Sequence, residues 1–104
     1  MIGWNFLTNH GLVLIYIGRH PESTGLEIAQ AVGITERATR KILDDLQAAG
    51  YSERQKIGRR NRYQVNTTLP LPYRGNRDVT VGELLELVWR AEDGATPEAA
   101  VATG

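Results

Sequence analysis

The sequence has 104 residues, of which 41% are hydrophobic and 23% are charged, and its net charge is zero. This length and composition fit one folded domain with one core, and they exclude a chain that is disordered throughout. Without cysteine and with only two histidines, the chain cannot form disulfides or cysteine zinc sites, so we expect no metal and no cofactor.

The longest apolar run, residues 12–17, is far shorter than a membrane-spanning segment. The first residues lack the basic start and the cleavage site of a secretory signal. These features predict a cytoplasmic protein that has no membrane partner.

Three helices are predicted in the first half of the chain. The first covers residues 8–19 and stops at His20-Pro21, because the residue before a proline is pushed out of helical geometry. Its β-branched residues alone would also fit a buried strand. The second helix begins at Thr24, which forms a capping-box pattern with Glu27, and it extends to about Ala31.

The third predicted helix follows a tight turn at Gly33, with Thr35 as its cap, and extends over residues 36–49. Its apolar residues at helical spacing predict one buried stripe, formed by Ala38, Ile42, Leu46 and Ala49. The opposite face carries Arg37, Arg40, Lys41 and Asp44. The second and third helices together predict a helix-turn-helix.

A β-hairpin follows, with strands at residues 51–57 and 62–65 and a basic turn at 58–61. The predicted fold is therefore mainly α, a winged helix-turn-helix with a three-helix core, a two-stranded wing and an additional C-terminal helix. Residues 1–66 form the predicted winged helix-turn-helix domain. Residues 67–79 are a predicted linker, residues 80–91 the last helix, and residues 92–104 a disordered tail.

Basic residues are concentrated in the middle of the chain. Residues 35–62 contain eight basic and four acidic residues, a net charge of +4, so the remainder carries −4. Salt screens surface charge within about 8 Å, so charge acts locally. The middle of the chain is therefore a candidate to bind an anionic partner, although the whole chain is neutral.

Small and apolar residues form a pattern through the predicted helix-turn-helix and into the hairpin, at Ala29, Gly33, Ile34, Ala38, Ile42, Leu46, Gly50 and Tyr51. This pattern resembles the MarR and ArsR families of winged-helix regulators, over residues 7–65. Thr39 departs from it, because many members place valine or isoleucine there. The resemblance implies a transcriptional regulator that binds double-stranded DNA and dimerises through its terminal helices.

The DNA contacts are predicted from helix and hairpin geometry. A helix about 10–12 Å across fits the major groove, where arginine can donate two hydrogen bonds to guanine and glutamate can accept from cytosine. The third helix supplies Glu36, Arg37, Arg40 and Lys41. Thr24 and Thr35 lie at helix starts, which favour phosphate. The hairpin supplies Lys56, Arg59, Arg60 and Arg62 for the flanking backbone or minor groove.

Large apolar residues near both ends of the chain predict a homodimer interface, formed by Trp4, Phe6, Leu84, Leu85, Val88 and Trp89. The alternative is that the first and last helices pack together within one chain. The short final helix is more like the compact ArsR arrangement than the longer MarR one.

Two function classes remain open on the sequence alone. No nucleophile with its base, phosphate-binding loop or carboxylate cluster occurs at a catalytic spacing, so we expect no enzyme. The alternative to DNA binding is a winged helix that serves as a protein-interaction module, which the zero net charge leaves open. A small-molecule effector is possible, but no residue identifies one.

Overall fold

The computed structural model describes residues 4–72 and 78–94. Its elements in chain order are α1 (Asn9–Arg19), α2 (Gly25–Val32), α3 (Glu36–Ala48), β1 (Ser52–Ile57), β2 (Arg60–Val65) and α4 (Val81–Glu92). This order confirms the predicted fold class, a winged helix-turn-helix with an additional C-terminal helix. The chain divides into two compact units, and the division falls after Asn66.

Each helix in the described part of the chain begins after a threonine whose side chain accepts a hydrogen bond from a backbone N–H of the first turn, at Thr8, Thr24, Thr35 and Thr80. At α2 and α4 a glutamate returns the bond, so both have a full capping box. The hydrogen bonds from the backbone and side chain of Thr24 hold the pKa of Glu27 below its ordinary value.

The core of the first unit surrounds α1, which is a helix and not a strand. Its residues Val13, Leu14, Ile15 and Ile17 are all buried. This helix contacts α2, α3 and β2, so several of its sides meet protein. An apolar run that is buried on more than one side needs no amphipathic period, which explains why its periodicity alone was ambiguous.

The turn between α2 and α3 depends on Gly33, whose φ of 84° lies in the left-handed region. The N–H groups of Gly33 and Ile34 both donate to the carbonyl oxygen of Ala29, at 2.8 and 3.0 Å. These bonds satisfy the end of α2 while the chain reverses direction. The helix-turn-helix is therefore fixed by local geometry.

The buried stripe of α3 differs from the predicted one and consists of Thr39, Ile42, Leu43 and Leu46. Ala38 is half-buried and Ala49 is exposed, so the predicted stripe was wrong at these two residues. Thr39 can lie in the core because its hydroxyl donates to the carbonyl oxygen of Thr35 at 2.9 Å. The shift leaves the charged face of α3 outward.

The hairpin is antiparallel and its turn is shorter than predicted. Ile57 pairs with Arg60, so Gly58 and Arg59 alone form the turn and β2 begins two residues earlier than expected. The φ of Gly58 is +63°, which a two-residue hairpin turn requires at its first position. The N–H of Tyr63 donates to the carbonyl oxygen of Pro21 at 2.8 Å, which ties β2 to the segment before α2.

In the second unit, the chain before α4 runs antiparallel to the start of that helix. Leu71 N–H donates to Val79 O at 2.9 Å, and Val81 N–H donates to Leu69 O at 2.8 Å. In the described part of the predicted linker, Thr67 and Leu69 thus accept hydrogen bonds from the first residues of α4, and Leu71 is bonded to Val79 just before that helix. The predicted disordered tail lies, from residue 95 onward, outside the described residues.

The helices that the structure describes are too short or too polar for any of them to cross a membrane.

Candidate nucleic-acid interface

The exposed face of α3 carries the four predicted base-contacting residues. The side chains of Glu36, Arg37, Arg40 and Lys41 are all exposed and lie away from the buried stripe. Thr35 holds the start of the helix by accepting from the Ala38 N–H at 3.0 Å. A polar face of this kind, on a helix held from behind, can enter a groove without losing core contacts.

Both aspartates of α3 have a partner. Asp45 accepts a hydrogen bond from His10 Nε2 at 2.8 Å and lies 3.5 Å from the Lys41 ammonium. The bond from His10 is the main cause that lowers the pKa of Asp45, and the charge of Lys41 adds to it. Asp44 accepts from Arg54 Nη2 at 3.3 Å. The acids on α3 are therefore partly compensated within the protein.

Sequence reasoning missed the partners His10 and Arg54. They stand 35 and 10 residues away from the aspartates they contact. No local pattern signals a pair at such separations. The Arg54 contact connects the hairpin to α3.

Most other cations of this region have no such partner. Within residues 4–72 and 78–94, no ion pair within 4 Å involves Arg37, Arg40, Lys56, Arg59, Arg60 or Arg62. All six side chains belong to exposed residues. The charge of Arg60 also acts on the Glu27 carboxylate, and the charges of the other five are available to an anionic ligand.

Two clefts bring several of these residues together. The first lies between α3 and the hairpin and is lined by Gly25, Glu36, Thr39, Arg40, Leu43, Arg54, Asn61 and Tyr63. The second lies between the start of α2 and the hairpin turn and is lined by Glu22, Ser23, Thr24, Gly25, Arg59, Arg60 and Asn61. Because Gly25 and Asn61 line both clefts, the two adjoin and form one surface.

The predicted site residues are not all on that surface. Arg40, Glu36, Thr24, Arg59 and Arg60 line the clefts, whereas the other predicted residues do not. Lys41 is engaged with Asp45. In the hairpin register Lys56 pairs with Asn61 and Arg62 pairs with Gln55, so Lys56 and Arg62 lie on opposite faces of the ribbon.

The predicted dimer residues differ in exposure. Trp4 and Phe6 are 58% and 93% exposed, and their rings meet edge to face with centroids 5.2 Å apart. Leu84, Val88 and Trp89 are half-buried. Leu85 is completely buried, so it differs from the other predicted interface residues in exposure.

Within the described residues, no group of three or more histidine, aspartate or glutamate side chains is placed to hold a metal ion.

Comparisons with known proteins give structural matches alone. No family model matches the sequence, and no curated protein matches it. The solved structures include a MarR family transcription regulator, with 21% identity and a TM-score of 0.54 over 97% of this chain. Streptococcus pneumoniae FabT in complex with DNA has 16% identity and a TM-score of 0.55 over 95% of this chain.

A third match is MepR, a transcription regulator of the Staphylococcus aureus multidrug efflux pump MepA, with 16% identity and a TM-score of 0.55 over 96% of this chain. This chain spans 58% and 59% of the lengths of the first two structures and 67% of MepR. The first of these structures is named as a MarR family member, and the likeness to ArsR stays a prediction. The chain therefore has the winged-helix fold seen in solved MarR-type structures.

Proposed function

We propose that this chain binds double-stranded DNA with sequence specificity and regulates transcription. In this proposal α3 enters the major groove and the hairpin contacts the flanking backbone or minor groove. The observation that carries it is the position of Arg40, Arg59 and Arg60, which form no ion pair within 4 Å in the described residues, around two adjoining clefts at α3, α2 and the turn. Phosphates on both sides of a groove would meet this surface.

The face of α3 supports base recognition. Arg37 and Arg40 are exposed and, in the described chain, uncompensated, so each can donate two hydrogen bonds to one guanine. Glu36 can accept from cytosine on the same face. Because Asp44 and Asp45 already have partners, they repel phosphate less than two free carboxylates would.

The start of α2 and the hairpin turn support phosphate contact. The positive end of the α2 dipole lies at Thr24, next to Arg59 and Arg60 in the second cleft. Thr35 marks a second helix start, at the beginning of α3. Lys56 and Arg62 lie on the two faces of the hairpin, where they would add charge near the backbone. These contacts would set the position of α3 on the duplex.

The named structural neighbours support the proposal at a coarse level. FabT is described in complex with DNA, and MepR is described as a transcription regulator. Neither is named as an enzyme. The rival function is a winged helix that docks an acidic protein. It uses the same cations but predicts no affinity for duplex DNA.

The test is the affinity of the chain for DNA as a function of salt. We expect fluorescence anisotropy with random duplex DNA to show a log–log slope of about −0.9 per neutralised phosphate. Arg59→Ala and Arg60→Ala should each weaken binding to all sequences and make the slope shallower by about one unit. Affinity that does not change with salt would favour the protein-interaction module, and unchanged slopes in the variants would remove the turn from the interface.

We also propose that the DNA-bound form is a homodimer. In a monomer, Trp4 and Phe6 expose aromatic surface to water, and Leu84, Val88 and Trp89 are half-buried on α4. A dimer predicts a near-palindromic site whose half-site centres lie about 34–36 Å apart or a multiple of that distance. Light scattering at micromolar concentration measures the mass directly, and a monomer mass at every concentration would contradict this proposal.

A further inference from the structure

The tip of the hairpin carries an exposed apolar side chain. Ile57 is the last residue of β1, and 46% of it is exposed. It precedes the two-residue turn and pairs with Arg60 across the hairpin. Single apolar residues on a surface are common and carry no meaning by themselves. The significance of Ile57 comes from the residues around it.

Ile57 is the one apolar residue of β1, whose other residues are Ser52, Glu53, Arg54, Gln55 and Lys56. Its neighbours along the chain and across the register include three exposed cations, Lys56, Arg59 and Arg60. Arg60 shares a face of the ribbon with Ile57, Arg59 lies in the turn, and Lys56 is on the opposite face, so the apolar group at the tip has cations on both sides of the ribbon. Its complement is a partner with an anionic rim and an apolar crevice.

We propose that Ile57 enters the minor groove of DNA as an apolar wedge and partly unstacks one base step beside the major-groove site of α3. The inference rests on the proposed function and names what the hairpin recognises within it. In this arrangement Arg59 and Arg60 contact phosphates that border the groove. The isoleucine packs against the sugars and base edges between those phosphates.

The dimensions of the hairpin favour a contact by the tip alone. Two paired strands lie about 4.7–4.9 Å apart, and their side chains add to that width, whereas the minor groove of B-DNA is about 6 Å wide. The ribbon is thus too broad to lie in the groove, while a single side chain at its end fits. Ile57 is the last strand residue before the turn of Gly58 and Arg59, so it lies next to that end.

The wedge predicts a sequence preference that α3 does not supply. Unstacking a base step costs least at flexible pyrimidine–purine steps, such as TA and CA/TG. We therefore expect such a step in the flank of the preferred site, at the position that Ile57 reaches. No hydrogen bond to a base edge is needed there, because the preference comes from the deformation energy of the DNA.

The experiment uses the full chain and a DNA site selected from a random library. 2-Aminopurine, whose fluorescence rises when it unstacks, is placed at successive flanking steps. Wild-type protein and Ile57→Val should raise the fluorescence at one step. Ile57→Ser should abolish the rise and weaken binding by about tenfold, with an unchanged salt slope because no cation is removed. Gln55→Ala, on the same face of the hairpin, is the matched control and should behave as wild type.

Other outcomes overturn the inference in distinguishable ways. If Ile57→Ser keeps wild-type affinity and fluorescence, there is no wedge. If it loses affinity together with a shallower salt slope, Ile57 positions the arginines and does not enter the groove. If wild type binds anionic lipid vesicles through Ile57 and shows no affinity for duplex DNA, the proposed function fails as well. Circular dichroism shows whether each variant is folded. If the serine variant is not folded, wild-type protein still tests the inference, because no rise in fluorescence at any flanking step would overturn it.

Discussion

Replacing Arg40 with alanine is expected to weaken binding to the preferred DNA site by about 1–3 kcal/mol and to relax the preference at one base pair. Arg40 is exposed on α3, lines the cleft between α3 and the hairpin, and has no ion-pair partner within residues 4–72 and 78–94. Its truncation therefore removes a donor to DNA without breaking a contact inside the protein. Anisotropy on a set of single-base-pair variants of the site measures both effects.

The matched control is Arg90→Ala. Arg90 is an exposed arginine of α4 that pairs with Glu86 at 3.0 Å, so its replacement removes the same charge outside the proposed interface. Its effect on DNA affinity should stay within about 0.5 kcal/mol, since exposed ion pairs contribute little. If Arg40→Ala weakened binding to every sequence equally, Arg40 would contact phosphate and the assignment to base recognition would be wrong.

The helices and their order could be predicted because their signals are local. Threonine caps, the capping boxes and the left-handed glycines Gly33 and Gly50 each act within a few residues. At the end of α3, for example, Gly50 adopts φ +85° and Tyr51 N–H donates to Leu46 O at 2.9 Å. Such signals fix where a helix starts and stops regardless of what it packs against.

The details that depend on packing could not be predicted in the same way. The predicted stripe of α3 did not include Thr39, which is buried because a backbone carbonyl satisfies its hydroxyl. Arg60 and Asn61 were assigned to the turn because they are polar, yet both belong to β2. In each case the backbone partner is only a few residues away, but residue type alone does not show that the bond forms.

The sequence predicts that the candidate site lies in a basic stretch of the chain, but it does not predict which of those residues share one surface. Counting charge over residues 35–62 treats every cation alike. In the structure Arg54 and Lys41 are engaged with aspartates of α3, whereas Arg59 and Arg60 face the start of α2. Which cations remain available to a ligand depends on contacts between residues that are distant in sequence.

The second large expected effect is the loss of stability when a core residue of α2 is truncated. Ile28 of α2 is completely buried, and α2 contacts both α1 and α3. Ile28→Ala is expected to lower the free energy of unfolding by about 2–5 kcal/mol, because it loses apolar burial and leaves a cavity. Small domains are stabilised by about 0.05–0.15 kcal/mol per residue, so this loss would be a large share of what holds the first unit together. Urea unfolding followed by circular dichroism measures it.

Leu26 provides the matched control two residues earlier on the same helix. It is 49% exposed, so Leu26→Ala removes a similar side chain without opening a cavity, and the loss should stay below about 1 kcal/mol. DNA binding by Ile28→Ala should fall with the folded fraction and recover in an osmolyte that favours the compact state. Equal losses of stability in the two variants would mean that α2 is not seated on α1 and α3, and the surface that joins Thr24 to the hairpin would lose its support.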